Sequence, residues 1–317
     1  MSDTAVQQPK KAVARKDMTK WQWTWKEIKN HKVAYLMIAP FMLIFTLFTV
    51  VPVVLSMILS FTDFNMLQTP NFVFLDNYIT LFLDDDIFLT AIQNTFVFAV
   101  IVGPCSYILS FVCAWFINEL PPKIRAVVTF IFYSPSISGS AYLMWKIIFS
   151  NDAYGYANAI LIDMGVISSP ILWFENVTYI MPICIVVALW TSLGVSFLSF
   201  IAGFQGIDKS LFEAGAVDGI KNRWQELWYV TLPTMQPQLL FGAIMSITSS
   251  FGFGAIVTAL CGFPSYNYAA HTIMHHLEDY GNIRWEVGYA SAIATILFAI
   301  MLGANILVKK GLGKVGK

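Results

Sequence analysis

Three histidines and two acids crowd one short stretch of the chain: His271, then His275 and His276, with Glu278 and Asp279 close behind. On a helix His271 and His275 share a face, a spacing that can hold zinc. Nothing fixes a third ligand, and no H-E-x-x-H occurs. The stretch is therefore expected to be a solvated loop helix touching a partner, and no metal site is assigned. Cys105 and Cys113 share one apolar run, Cys184 lies in another and Cys261 at the end of a third, with no C-x-x-C. They read as small buried hydrophobes. No G-x-x-x-x-G-K-[ST] phosphate loop is present, so the chain holds no ATP by that route. No catalytic residue is assigned, and the chain is not expected to be an enzyme.

The segment that constrains function most is polar and lies between two long apolar runs: Glu213-Ala214-Gly215-Ala216-Val217-Asp218-Gly219, closed later by Leu232-Pro233. Asp208 or Ser210 can cap a short helix beginning near Leu211, with Glu213 in its first turn, where a carboxylate favours the positive helix end. Asp218-Gly219 is a turn signal. A second helical stretch over 222–230 carries Trp224, Leu227 and Trp228 on a partly apolar face. The product is a compact helix–turn–helix knob. Connections between packed helices run to about 2–8 residues, so a structured segment of this length has work beyond connection.

The elements that must position this knob are membrane helices. Of 317 residues 57% are hydrophobic and 12% charged; soluble domains carry about 25% charge. Six apolar segments, near 33–61, 91–117, 124–149, 178–203, 236–260 and 286–308, are long enough to span a bilayer. None alternates with period two, which excludes a β-barrel reading. Helix breakers fall inside several: Pro40, Pro52, Gly103-Pro104, Pro135, Gly139, Pro182 and Gly194. The fold expected is all-α, a six-helix membrane domain over 33–308 with the knob in the loop 204–235.

Lys and Arg orient it. Of 19, all but Lys146 and Arg284 fall in the N-tail, the 118–125 loop, the 204–235 loop or the C-tail, while 11 of the 19 acids, including Asp84-Asp85-Asp86, fall on the other side. The positive-inside rule places both termini and the knob in the cytoplasm. Residues 1–32 form a basic tail, unstructured over 1–20, with Trp21, Trp23 and Trp25 among lysines at headgroup level; residues 309–317 form a basic C-tail.

Residues at span ends aside, among them Arg125 and Lys146, the spans hold no ionisable side chain of Asp, Glu, Lys, Arg or His. Such groups mark proton relays and ion paths. Their absence argues against a proton-coupled carrier and for an uncharged cargo. Sugars stack on aromatic rings and bond to neutral polar groups. Trp190, Ser192, Ser250, Phe251 and Phe253 are the candidate path residues. Core packing is the competing reading for each. Ser134-Pro135-Ser136 is a candidate bend beside the path.

Six short motifs in order resemble the membrane subunits of ABC importers for oligosaccharides, the group with the maltose and glycerol-phosphate permeases and a MetI-like membrane domain. The family's loop reads E-A-A-x3-G-x9-I-x-L-P. Here Glu213-Ala214-Gly215, Asp218-Gly219 and Val230-Thr231-Leu232-Pro233 match it, with Gly215 for the second alanine and one extra residue before Val230. Phe72-Val73-Phe74-Leu75-Asp76-Asn77-Tyr78 is similar to F-V-G-L-x-N-Y, with Phe74 for glycine. Asn94-Thr95, Trp145-Lys146, Tyr154-Gly155, Ala202-Gly203-Phe204-Gln205 and Gly288-Tyr289-Ala290-Ser291-Ala292 also match, whereas T-x-G-G-P is degraded to Thr258…Gly262-Phe263-Pro264. The resemblance implies a multi-pass subunit of a bacterial cytoplasmic membrane. Its knob (Glu213, Ala214, Gly215, Asp218, Gly219, Leu232, Pro233) seats in one of two ATPase subunits, which hold ATP and Mg. A second permease and an external sugar-binding protein complete the assembly. The chain binds no cofactor and meets membrane lipid but no nucleic acid. Neutral oligosaccharide is the expected cargo. An anionic cargo, glycerol phosphate or a uronic-acid oligosaccharide, is the alternative, and a facilitative channel or carrier without ATPase is the rival from another class.

Overall fold

The computed structural model describes residues 19–312; the expected tail over 1–20 lies almost wholly outside them, as does the end of the C-tail. The described residues form two compact units, divided between Leu55 and Ser56. The first holds α1 (Lys20–Asn30) and most of α2 (Lys32–Leu59), an apolar helix interrupted by a π-turn at Thr46–Val50. In α1, Trp21 and Trp25 lie one turn apart and meet edge to face with ring centres 6.3 Å apart. Both rings and Trp23 are exposed, as an interfacial helix requires.

The second unit is helical apart from a single bridge between Thr62 and Phe72 among the described residues. In chain order it holds α3 (Asp76–Leu83), α4 (Asp86–Asn118), α5 (Pro122–Ile137), α6 (Leu143–Ile148), α7 (Tyr156–Asp163), α8 (Val177–Thr191) and α9 (Val195–Gln205). Next come α10 (Lys209–Val217), α11 (residues 223–234), α12 (Gln236–Ser250), α13 (Gly254–Cys261), α14 (Ile273–Glu278) and α15 (Val287–Leu312).

Among the described residues four helices are long and apolar enough to cross a membrane: Lys32–Leu59, Asp86–Asn118, Val177–Gln205 and Val287–Gly311. The pair α12 and α13, bent by 41°, makes a fifth if it is one span. The segment 124–149, expected as one span, is instead α5 and α6 with a break between them. Pro135 removes a backbone donor and Gly139 follows. Ser134 and Ser136 turn their hydroxyls onto the carbonyls of Ile131 and Tyr133, so they serve the bend locally. The last helix runs to Leu312, so the basic C-tail begins inside a helix.

One stripe of α4 organises the bundle. Phe88, Ala91, Thr95, Phe98, Val102, Ser106, Ser110, Ala114 and Ile117 recur every three or four residues and are all buried. Phe88 and Ala91 join Leu81, Ile273 and Ile293 in one cluster. Phe98 and Val102 join Cys184, Val187 and Val257 in a second. Ala114 and Ile117 join Phe197, Phe200, Phe204 and Met235 in the third. The small residues in the stripe let neighbouring helices approach closely, which is how helices associate where lipid is as apolar as the side chains.

Near the start of α15 the backbone of Gly288 lies against residues 62–64. Its amide donates to the Phe64 carbonyl at 2.8 Å, and a Cβ here would collide with the Thr62 carbonyl oxygen and the Phe64 amide, both backbone atoms that cannot rotate away. Gly288→Ala is therefore expected to cost about 1–3 kcal/mol by overpacking. Thermal unfolding of the detergent-purified protein measures it; an unchanged midpoint would show that this contact does not hold α15.

Candidate functional site

The knob is built from α10 and α11. Asp208 caps α10, its carboxylate accepting from the Ser210 amide at 3.0 Å. The helix starts at Lys209, so Glu213 lies beyond the first turn, and the expected stabilisation of its carboxylate by the helix end is not realised. The end of α10 is a Schellman motif. The Ile220 amide donates to the Gly215 carbonyl at 2.9 Å and the Gly219 amide to Ala216 at 3.3 Å, with Gly219 at φ 94°. Asn222 caps α11 through the Gln225 amide, and Gln225 in return accepts from Lys221. A concavity of about 540 Å³ opens on one side, lined by Leu211, Ala214, Gly215, Ile220, Tyr229 and Val230 among others. Glu213, Ala214, Asp218, Gly219 and Pro233 are exposed, Leu232 is half-buried and only Gly215 is buried.

The candidate path residues divide. Trp190 and Ser192 sit at the break between α8 and α9, both half-buried. Gly194 follows them, close to Ser136. Phe253 lies in the bend between α12 and α13. Ser250 and Phe251, by contrast, are packed away. Ser250 bonds to the Ile247 carbonyl and lies against Gly103 of α4, and Phe251 belongs to the cluster around Leu81. Four residues not assigned from sequence extend the Trp190 position. Trp145 meets Trp190 edge-on at 5.7 Å and stacks on Phe149 at 6.0 Å; Phe149 meets Trp173 and Trp173 meets Tyr179, each at 5.4 Å. The sequence signal was available only as Trp and Phe at i,i+4 in Trp145 and Phe149; its continuation to Trp173 is tertiary.

At the end of α4 far from the knob, the histidines are not solvated. His271, His275 and His276 are at most 2% exposed, and His276 has a partner that sequence distance hides. The Asp85 carboxylate caps α4 at the Phe88 amide, 2.9 Å, and also accepts from His276 Nε2 at 2.8 Å and from the Tyr289 hydroxyl at 3.0 Å. The Nδ1 of His276 faces His271 Nε2 at 3.4 Å. Thr272 and His275 close a capping box at the start of α14, and Phe263 stacks on His275. Among the described residues no group of three His, Cys, Asp or Glu side chains is arranged to hold a metal. Asp85 is thus consumed in structure, leaving Asp84 and Asp86 exposed.

Comparison with known proteins decides the family. The family of binding-protein-dependent transport system inner membrane components matches residues 107–310. The chain belongs to this family. It is 32% identical over 279 residues to a probable ABC transporter permease protein, YesP, of Bacillus subtilis (strain 168), covering 86% of this chain and 88% of YesP. It is 28% identical over 294 residues to the arabinooligosaccharides transport system permease protein AraP of the same organism, covering 90% and 91%. Among solved structures, a bacterial alginate ABC transporter in complex with an alginate pentasaccharide-bound periplasmic protein shares the fold. The TM-score is 0.73 at 22% identity, over 92% of this chain and 98% of that one. The protein is a multi-pass membrane permease component, built of several apolar helices.

Two departures of the chain from the family pattern have local physical reasons. A Cβ at Gly215 would press on Ile220 Cδ1 at 2.9 Å, so the missing methyl is the space that Ile220 fills. The additional residue before Val230 coincides with a π-turn over Leu227–Thr231, a turn that holds one residue more than an α-turn. Phe74, in place of glycine, occupies a left-handed conformation at φ 55°, where a side chain is disfavoured.

Two outcomes follow from this geometry. Gly219→Ala places a Cβ in the left-handed region and is expected to cost the knob about 1–2 kcal/mol, read as faster amide exchange at residues 219–226 with the spans unchanged. Burial pushes His271 down to about 3 and His275 to about 4, and holds His276 below its ordinary value against the upward pull of Asp85. The unfolded chain protonates these groups near pH 6.5 and so binds more protons below that pH. Stability present above pH 6.5 is expected to fall as the pH drops toward 4. A thermal midpoint that stays flat across that window would mean the imidazoles are not held neutral.

Proposed function

We propose that this chain is a membrane subunit of an ATP-binding-cassette importer that carries a sugar, with neutral oligosaccharide as the favoured cargo, into a bacterial cell. The observation that carries the reading is the knob. A capped, rigid helix pair closed by a Schellman turn presents a concave, exposed face on a chain with no phosphate loop of its own. Such a face suits a separate ATPase subunit, which would hold ATP and Mg. The strongly basic bias of the knob side supports a cytoplasmic knob and cytoplasmic termini. A second permease and an external binding protein complete the assembly, the latter meeting the acidic side that carries Asp84 and Asp86. The chain itself performs no chemistry. Nucleotide closes the ATPase pair, the knob moves, and the cavity changes the side on which it is open.

The names of relatives point to sugars: arabinooligosaccharides for AraP, and lactose for a permease of Rhizobium radiobacter that is 30% identical over 223 residues. The aromatic ladder from Tyr179 to Trp190 suits sugar faces, and the uncharged interior of the spans suits a neutral cargo. One observation favours an anionic sugar instead: Lys146 is exposed on α6 between Trp145 and Phe149 of that ladder. The tilt toward neutral cargo rests on the rest of the interior being uncharged.

Purification of the tagged chain from its native membrane in mild detergent, with mass spectrometry of what accompanies it, tests the assembly. An ATPase and a second permease are expected to co-purify, and Gly219→Asp is expected to release the ATPase alone. A chain that emerges by itself would move the ATPase-free carrier to the front. In reconstituted vesicles Trp190→Ala is expected to lower uptake about tenfold, the equivalent of about 1.4 kcal/mol. Lys146→Gln is expected to leave uptake unchanged; a collapse there would assign an anionic cargo.

A further inference from the structure

The knob is tied to the bundle by more than its chain connections. The Nη2 of Arg223, the first residue of α11, lies 2.6 Å from Glu119 Oε2, and its Nη1 lies 3.3 Å from Glu226 Oε2. The next residue, Trp224, meets Trp115 edge-on with ring centres 5.2 Å apart. Glu119 is the C-cap of α4, and Trp115 is one turn before it. Two consecutive side chains of the knob therefore grip the last turn of α4, from the side of the knob that also carries Phe212 and Leu227.

At its other end the same helix is gripped again. Asp85 caps α4 and holds His276 of α14 and Tyr289 of α15 on one carboxylate oxygen. Between the two grips α4 runs 33 residues as one helix, its helical backbone continuing through the internal Pro104, about 50 Å at 1.5 Å per residue. The other spans next to the knob lack this property: the run from 177 to 205 breaks at 192–194, and α12 bends into α13. A displacement applied to a broken helix is absorbed at the break. One applied to α4 is passed on.

We propose that α4 is the strut that carries movement of the knob to the far end of the bundle, and that Glu119, Arg223, Trp115 and Trp224 are the positioning residues that couple the knob to it. This rests on the ATPase-docking reading above. The ion pair is open to solvent, with side chains 63% and 42% exposed. Pairs this exposed add little to folding stability, so their loss separates coupling from assembly.

The test uses the whole co-purified transporter in lipid nanodiscs, with ATP and vanadate as the probe. Spin labels on Leu83→Cys, beside the start of α4, and Val177→Cys, at the start of α8, report the far end by electron–electron distance measurement, in a background with the four native cysteines replaced by serine. In the unaltered pair ATP–vanadate is expected to shift the label distance by several ångström. Glu119→Arg and Arg223→Glu are each expected to retain the ATPase and its hydrolysis, while cutting the population that shifts at least fivefold. The double exchange is expected to restore it to within twofold. A normal shift in both single variants, failure of the double exchange to restore it, or release of the ATPase by the single variants would each overturn the strut. If no ATPase accompanies the unaltered chain, it is the docking reading itself that falls, and the strut with it.

Discussion

The buried stripe along α4 is the constraint on which the second unit depends. A helix in lipid gains nothing by hiding apolar side chains from water, so association rests on close packing and on a few polar contacts. α4 supplies both. Its stripe combines large residues, Phe88, Phe98 and Val102, with small ones, Ala91, Ser106, Ser110 and Ala114, and it enters all three hydrophobic clusters. Thr95 accepts the Ile273 amide at 2.9 Å, and Asn94 donates to the carbonyls of Tyr268 and His271. These bonds reach 174 or more residues along the chain and fix the loop before α14 to the helix.

The breaks gather where the candidate path lies. Backbone that leaves the helical ladder at membrane depth must face protein or a cavity. Here the interruptions fall at 138–142, 192–194 and 251–253, and Gly194 approaches Ser136 directly. Their hydroxyls are mostly spent on local carbonyls: Ser192 on Leu189, Ser134 on Ile131, Ser136 on Tyr133. Near the breaks the half-buried rings of Trp145, Trp190 and Phe253 keep surface to offer a cargo. That surface is apolar and flat, the property that made Trp190 a candidate from sequence.

At the two ends of α4 polar chemistry is used differently. The far end packs Asp85 and the three histidines away from water. Burial alone would raise the Asp85 carboxyl, but the Phe88 amide, His276 and Tyr289 outweigh it and hold it below its ordinary value. The imidazoles stay neutral beside it. The bonds that Asp85 makes with the Phe88 amide, His276 and Tyr289 favour one fixed geometry. The knob end leaves its charges in water, where Arg223 reaches two carboxylates at little cost to rearrangement. A fixed end and an adjustable end on one unbroken helix is the arrangement that the strut requires.

By itself the sequence determined what local chemistry and composition control. Long apolar runs marked the membrane helices, and Asp208 and Asp218-Gly219 marked the cap and turn of the knob, because those signals act within a few residues. Tertiary structure alone decided which faces are buried. In lipid a helix is apolar on every side, so no periodicity separates Phe251, which packs, from Trp190, which stays half open. It decided that 124–149 breaks, since a proline at membrane depth bends or ends a helix according to what its neighbours can satisfy. It also decided the fate of the histidines. Read alone, His271, His275 and His276 look like a solvated cluster; the partner of His276 is Asp85, 191 residues before it, and no local signal reaches that far.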